Sequence, residues 1–331
     1  MENSQKTLNN SGKRIDQMAL YGGKKRWLIW AAAWLLVCLM VGCAELLQEA
    51  EIIFPEIAAL AIGAWLAPRQ PWRVSPLKMF LAIAIFSLMG VAIVRWVPLG
   101  VIWQILLAYC CCAAGLMLLH TTIYPLISAA ILPVLLGTAS FIYPLAASLA
   151  AGIVALGRAL LLKKGIACPV EEYWQFDIRS QLPLWLKRIV CISALCCLAL
   201  VLNAPFLIAP PLIVGFTEMS CKGSVSRRCP GKVILITFFG ALCGCALRLT
   251  CCSIFGLPVT LAAAVTAGIF FVVVARTKVY FPPAGAIAIL PMLIGDRLLL
   301  TFPFQVLLGF GLLVLAAKKL FGPGTVGEKE Q

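Results

Sequence analysis

Three basic side chains stand close to apolar segments of the sequence and could attract an anion. His120 and Lys278 occupy matching positions just before two similar proline-containing segments, and Arg276 lies two residues before Lys278. Ionisable groups near the interior of a membrane protein are costly and are therefore candidates for function. Together these cations could form an electropositive vestibule. The alternative is that they anchor helix ends at the cytoplasmic interface.

Prolines gather in the two segments that follow these cations. The first segment contains Pro125 and Pro133, and the second contains Pro282, Pro283, Gly285 and Pro291. Proline removes a backbone donor and interrupts the helical hydrogen-bond ladder. We expect Pro133 and Pro291 to lie at breaks whose freed carbonyl groups face a cavity, with the small residues around Gly285 allowing a solute to approach. Ordinary kinks and close helix packing are the alternative.

Other groups that could do chemistry give weaker signals. The cysteine clusters at 110–112, 196–197 and 251–252 do not predict a metal site, because adjacent thiols on a helix diverge and the chain has one histidine. Neither a glycine-rich phosphate loop nor a Ser-His-Asp set is visible, so we expect no catalytic residue and no cofactor. Glu56 and Glu218 lie at opposite ends of two short apolar segments, where either could reach the lipid headgroups.

The composition predicts an integral membrane protein. Apolar residues make up 62% of the 331 residues and charged residues only 12%, which is roughly half the charged share of a soluble domain. Several charge-free stretches are long enough to cross a bilayer as helices, which need about 20 residues. The net charge of +14 is attributed to cytoplasmic loops and not to nucleic-acid binding.

Each half of the chain divides into six apolar segments. The first half has them at 27–47, 52–67, 77–95, 97–119, 123–137 and 139–161, and the second half at 182–203, 205–219, 232–248, 253–275, 279–295 and 298–317. The second and fifth segments of each half are short. Short or interrupted helices at corresponding places of two halves point to a transport site.

The two halves resemble each other in sequence. Residues 123–137 align with 281–295 at seven identities in fifteen positions, with two prolines and a glycine in register. We therefore predict two all-α repeats at 24–162 and 182–320, related by a pseudo-two-fold axis along the membrane normal. A polar linker at 163–181 joins them, and polar tails cover 1–23 and 321–331.

The distribution of basic residues predicts the orientation. With twelve crossings from a cytoplasmic N-terminus, all but three of the 27 Lys and Arg residues fall on the inner side. The positive-inside rule then places both termini in the cytoplasm, and we expect an inner (plasma) membrane location.

One stretch resembles a known family. Arg276 and Thr277, followed by Phe-Pro-Pro-Ala-Gly-Ala at 281–286, are similar to the signature of the HPP family of integral membrane proteins. Phe281 stands where that signature has histidine, and two extra residues separate the Arg-Thr pair from it. Some members are linked to nitrite transport, so the resemblance implies a permease for a small anion.

The sequence as a whole favours a membrane permease for a small solute, with the lipid bilayer as its surroundings. An accessory or scaffold subunit and a membrane enzyme are the alternatives. The sequence also allows a homo-oligomer.

Overall fold

The computed structural model describes residues 23–170, 178–221 and 224–322. Most of both predicted tails and the middle of the predicted linker lie outside these ranges. We number the α-helices of six or more residues in chain order: α1 Gly23–Leu46, α2 Glu56–Ala61, α3 Pro76–Trp96, α4 Val101–Leu118, α5 Pro125–Leu136, α6 Ile142–Lys163, α7 Ile178–Val201, α8 Pro210–Met219, α9 Pro230–Arg248, α10 Val259–Thr277, α11 Pro282–Ile289 and α12 Phe302–Leu320. Single helical turns at Ala50–Ile52, Pro205–Ile208, Val225–Arg228 and Asp296–Leu299 lie between them.

Eight of the helices in the described part of the chain are long and apolar enough to cross a membrane: α1, α3, α4, α6, α7, α9, α10 and α12. Their outward faces are apolar. On α6, for example, Leu145, Leu149 and Leu156 are each more than 60% exposed. Because a water-soluble protein would not turn whole rows of leucine outward, this surface faces lipid. The chain is thus an all-helical integral membrane protein.

The other four helices are short. Helix α5 has 12 residues, α8 has 10, and α11 has eight and continues as the turn Leu290–Met292. Helix α2 has six residues and continues as the wide turn Ile62–Leu66. At about 1.5 Å per residue each is shorter than a hydrocarbon core of about 30 Å. These are the second and fifth apolar segments of each half.

Prolines set where three of the short helices begin. Pro125 opens α5, Pro210 opens α8 and Pro282 opens α11. Proline suits the first helical turn because its fixed φ is helical and the missing N–H has no partner there. At the other end, α5 stops at Gly137, whose φ of 70° gives the left-handed residue that commonly ends a helix.

The four short helices form a ring in the middle of the bundle. Helix α2 packs on α5 and α11, and α8 packs on the same two helices. The long helices surround this ring: α3 packs on α5 and α6, and α9 packs on α11 and α12. The ring is therefore buried inside the protein, where broken backbone is tolerated in a membrane protein.

Candidate functional site

A small central cavity lies inside the ring of short helices. It has a volume of about 10 Å³, and each short helix contributes two lining residues: Glu56 and Ala59 of α2, Pro125 and Ser128 of α5, Pro211 and Val214 of α8, and Pro283 and Ala286 of α11. This volume is about that of one water molecule. In this structure the centre of the ring is therefore nearly closed.

Glu56 is the ionisable residue that lines the central cavity. The residue is 1% exposed, and its Oε1 accepts a hydrogen bond from the hydroxyl of Ser128. Its other oxygen, Oε2, has no hydrogen-bond partner among the described residues. The expectation that Glu56 could reach the headgroups is wrong, because α2 begins at Glu56 and carries this end into the ring.

The N-terminal ends of the short helices converge on this cavity. Pro125, Pro211 and Pro283 lie at the first or second positions of α5, α8 and α11 and all line it. A helix N-terminus carries a partial positive charge, because the peptide dipoles point the same way. The centre of the ring is consequently favourable for negative charge and unfavourable for a cation.

A second and much larger cavity, which we call the basic vestibule, lies at one end of the bundle. It has a volume of about 760 Å³. Among the described residues, five cationic side chains and one carboxyl group line it: Arg69, Arg73, Arg188, Lys232 and Lys278, with Glu218. Within the described ranges the one ion pair is Arg248 with Asp296, and neither residue lines this cavity. The vestibule therefore carries an excess of positive charge.

Arg188 is the buried cation of the vestibule. It is 2% exposed and lies in the first half of α7. Its Nε donates to Ser220 Oγ over 2.7 Å, and its Nη2 lies 3.3 Å from Cys221 Sγ. The guanidinium also stacks on Trp185 at 4.4 Å from the ring centroid. None of these contacts neutralises the charge, so Arg188 can offer it to an anion in the cavity.

Tyr124 and Phe281 are two aromatic residues of the vestibule wall that directly precede helices of the central ring. Both line the vestibule, and each directly precedes the helix, α5 or α11, that lines the centre. The hydroxyl oxygen of Tyr124 lies 2.9 Å from Cys221 Sγ, and the ring of Phe281 packs on Phe310 at 5.7 Å between centroids. Both side chains thus belong to the part of the vestibule wall that is nearest in sequence to α5 and α11.

Helix α8 contributes lining residues to both cavities, and Glu218 is the one on the vestibule side. It lines the vestibule, and its Oε1 accepts a hydrogen bond of 3.4 Å from Ser226. Val214, one helical turn earlier, lines the centre. Four residues of helix rise about 6 Å, so the two cavities are about one turn apart.

The predicted prolines take different positions. Pro125 and Pro283 line the central cavity, and Pro282 opens α11 beside it. Pro133 lies inside α5, where it deprives the Ala129 carbonyl of its helical partner. That carbonyl accepts a hydrogen bond of 2.9 Å from the hydroxyl of Tyr143. It is thus satisfied by a protein side chain and does not face the cavity.

Pro291 and Gly285 serve helix packing. Pro291 lies in the turn that ends α11, against Gly244 of α9. A Cβ placed on Gly285 would lie 2.5 Å from Cδ1 of Ile62 and 3.4 Å from the backbone carbon of Ala58, on α2. Gly285 therefore allows α11 and α2 to approach closely, and it does not line either cavity.

Of the three predicted cations, one lines the vestibule. Lys278 ends α10 in a left-handed conformation, with φ of 56°, and lines the cavity. Arg276 lies exposed in the last turn of α10, and His120, with φ of 48°, follows α4. Neither lines a cavity.

Three residues of the site were not predicted from the sequence. Arg188 looks like one more interfacial anchor near the linker, and Ser128 is a single hydroxyl in an apolar run. Glu56 could have been found from the sequence, because placing an acidic residue at the edge of an apolar segment costs free energy in a membrane and so indicates a functional role.

Among the described residues no group of three His, Cys, Asp or Glu side chains could hold a metal ion. Comparison of the chain with protein-family models, with curated protein sequences and with solved structures found no match.

Proposed function

We propose that this protein is a membrane permease that carries a small inorganic anion, such as nitrite, through the basic vestibule and the ring of short helices. The observation that carries the proposal is Arg188, a buried guanidinium that lines a cavity of about 760 Å³ and has no carboxylate partner among the described residues. Burying a charge without a partner of opposite sign is costly. Such a residue is therefore a candidate for a functional role.

The strength of the attraction is sufficient to select an anion. Two opposite unit charges about 4 Å apart attract each other by about 4 kcal/mol at an effective dielectric constant of about 20. Arg69, Arg73, Lys232 and Lys278 add a field around the cavity that raises the local concentration of anions. In the described part of the chain, Glu218 is the one carboxyl group that opposes them there.

Two aspects of the architecture support a transport path. The short helices meet at the centre of the bundle, and their N-termini supply positive partial charge beyond the vestibule. Helix α8 lines both cavities, through Glu218 and Val214. A scaffold subunit would have no need of a charged cavity beside such a ring.

We also propose that the chain consists of two copies of one six-helix unit. Gly90 of α3 packs against Pro133, and Gly244 of α9 packs against Pro291. His120 and Lys278, at the ends of α4 and α10, both have positive φ. Pro133 and Pro291, like His120 and Lys278, occupy matching positions in the two halves of the sequence.

The vestibule would face the cytoplasm in this proposal. It lies beside the turns that follow α2, α4, α8 and α10, which the positive-inside rule assigns to the inner side. The resemblance of residues 276–286 to the HPP signature implies the same class of substrate.

Uptake by purified protein in liposomes tests the proposal. We expect nitrite to enter proteoliposomes faster than protein-free liposomes, and we expect nitrate or chloride to compete, whereas uncharged urea does not. If none of these anions enters faster than in protein-free liposomes, the protein is not an anion permease.

A further inference from the structure

Glu56 presents a physical problem that the anion path alone does not solve. Its carboxyl group is buried at the meeting point of the short helices, and the other residues that line the central cavity are Ser128 and six apolar residues. An ionised carboxylate at this point occupies the place to which the helix N-termini would attract a substrate anion. It would also repel that anion, since both are negative.

From this juxtaposition we propose that Glu56 is the proton-binding site that couples anion transport to proton transport. This inference rests on the proposed function and adds the coupling ion to it. Binding one proton converts the Glu56 carboxylate to a neutral carboxylic acid, and the helix N-termini are then free to attract one anion. The proton and the anion cross together, and release of both restores the carboxylate.

The hydrogen bonds of Glu56 suit this role. Oε1 accepts from Ser128 in either protonation state, because a carboxylic acid retains an acceptor oxygen. Oε2 has no partner within the part of the chain that the structure describes, so it can take the proton. The carboxyl group can thus gain and lose a proton without losing its contact to α5.

The surroundings favour a proton over a metal cation. The oxygens of only two described side chains, Glu56 and Ser128, line the cavity, whereas a hard metal cation takes about six oxygen ligands. A proton needs one acceptor oxygen, and Glu56 Oε2 supplies it.

The charged and titratable groups near Glu56 are few. None of the lining residues from α5, α8 or α11 is ionisable. From α6, the hydroxyl of Tyr143 is close by and donates to Ala129. Glu218 lies on the vestibule side and does not line the central cavity.

Two matched variants test the coupling. Glu56→Gln keeps the size and the acceptor for Ser128 but cannot bind a proton, and Glu218→Gln removes a carboxyl group that lines the vestibule. With the wild-type protein, we expect nitrite uptake to rise by up to about tenfold when the outside pH falls by one unit, because the protonated fraction of a mostly ionised carboxyl rises by that factor.

Glu56→Gln should take up nitrite at a rate that does not depend on pH, once passive entry of nitrous acid into protein-free liposomes is subtracted. Uptake by Glu218→Gln should remain pH-dependent. If Glu56→Gln keeps the wild-type pH dependence, Glu56 is not the coupling site, although the protein remains an anion permease. If the wild type takes up no nitrite, the coupling proposal and the proposed function both fail.

Infrared spectroscopy detects the proton independently of transport. A protonated buried carboxyl gives a C=O stretching band, which we expect to disappear as the pH is raised. The band should be missing in Glu56→Gln and present in Glu218→Gln. The absence of any band that depends on Glu56 would overturn the proposal even if nitrite is transported.

Discussion

The hydroxyl of Tyr143 donates a hydrogen bond of 2.9 Å to the carbonyl oxygen of Ala129, the group that Pro133 leaves without a helical partner. An unsatisfied carbonyl inside a membrane protein costs several kcal/mol. One side chain of α6 thus makes a proline tolerable in the middle of α5, and it holds α5 at the wall of the central ring.

Tyr143→Phe should destabilise the protein, because the Ala129 carbonyl loses its donor. We expect a loss of about 1–2 kcal/mol, measured as a lower midpoint of thermal unfolding in detergent. Pro133→Ala restores a backbone N–H four residues after Ala129. The loss caused by Tyr143→Phe should therefore be smaller in a Pro133→Ala background, and equal losses in both backgrounds would show that the hydrogen bond does not compensate for the proline.

Gly90 and Gly244 should respond alike to a methyl group. A Cβ on Gly90 would lie 2.8 Å from Cγ of Pro133, and one on Gly244 would lie 2.9 Å from Cγ of Pro291. Each would also collide with a backbone carbonyl oxygen, which cannot move cheaply. We expect Gly90→Ala and Gly244→Ala each to cost about 1–3 kcal/mol in the same unfolding assay.

Gly152→Ala is the matched control, because a Cβ there meets Phe80 at an ordinary 3.5 Å. It should leave the unfolding midpoint unchanged. A large effect at Gly90 with none at Gly244 would argue against two copies of one unit.

Gly285 should tolerate alanine better than leucine. The nearest atom to an added Cβ is the end of the Ile62 side chain, which can shift. Leucine is larger and would push α11 away from α2, so we expect Gly285→Leu to abolish nitrite uptake while Gly285→Ala retains most of it. Membrane insertion of both variants should be normal, since neither lowers the hydropathy of the segment. Normal uptake by well-folded Gly285→Leu would exclude α11 from the transport path.

A reporter fused after Gln331 tests the orientation. A fluorescent protein that folds only in the cytoplasm should be bright at this position, and alkaline phosphatase should be inactive, because the positive-inside rule places the C-terminus inside. Active phosphatase at the C-terminus would place the basic vestibule on the outer side.

The sequence predicted the helices well and the site only in part. The apolar segments agree with the helix bounds to within a few residues at most ends, for example 77–95 against Pro76–Trp96 for α3. Hydropathy determines such bounds, because a helix in lipid must be apolar over its length. The position of Pro125 and Pro283 in the short helices also followed from the sequence.

Residues whose role depends on tertiary contacts could not be assigned in that way. Arg188 is a candidate for anion binding only because α7 places it in a cavity. There it contacts Ser220 and Cys221, which follow α8. Glu56 lies next to Ser128 because α2 packs on α5, more than 70 residues along the chain. Neither set of contacts can be predicted from a local sequence pattern, because the partners are far apart along the chain.

Nitrite uptake by an Arg188 variant tests the central claim most directly. Arg188→Gln removes the buried charge of the vestibule, whereas Arg297→Gln removes an exposed charge that lines neither cavity. We expect kcat/KM for nitrite to fall at least about tenfold in Arg188→Gln, which is about 1.4 kcal/mol of lost attraction, and to stay unchanged in Arg297→Gln. Arg188→Lys, which keeps the charge, should recover part of the loss. Wild-type uptake by a folded Arg188→Gln protein would contradict an anion path through the basic vestibule.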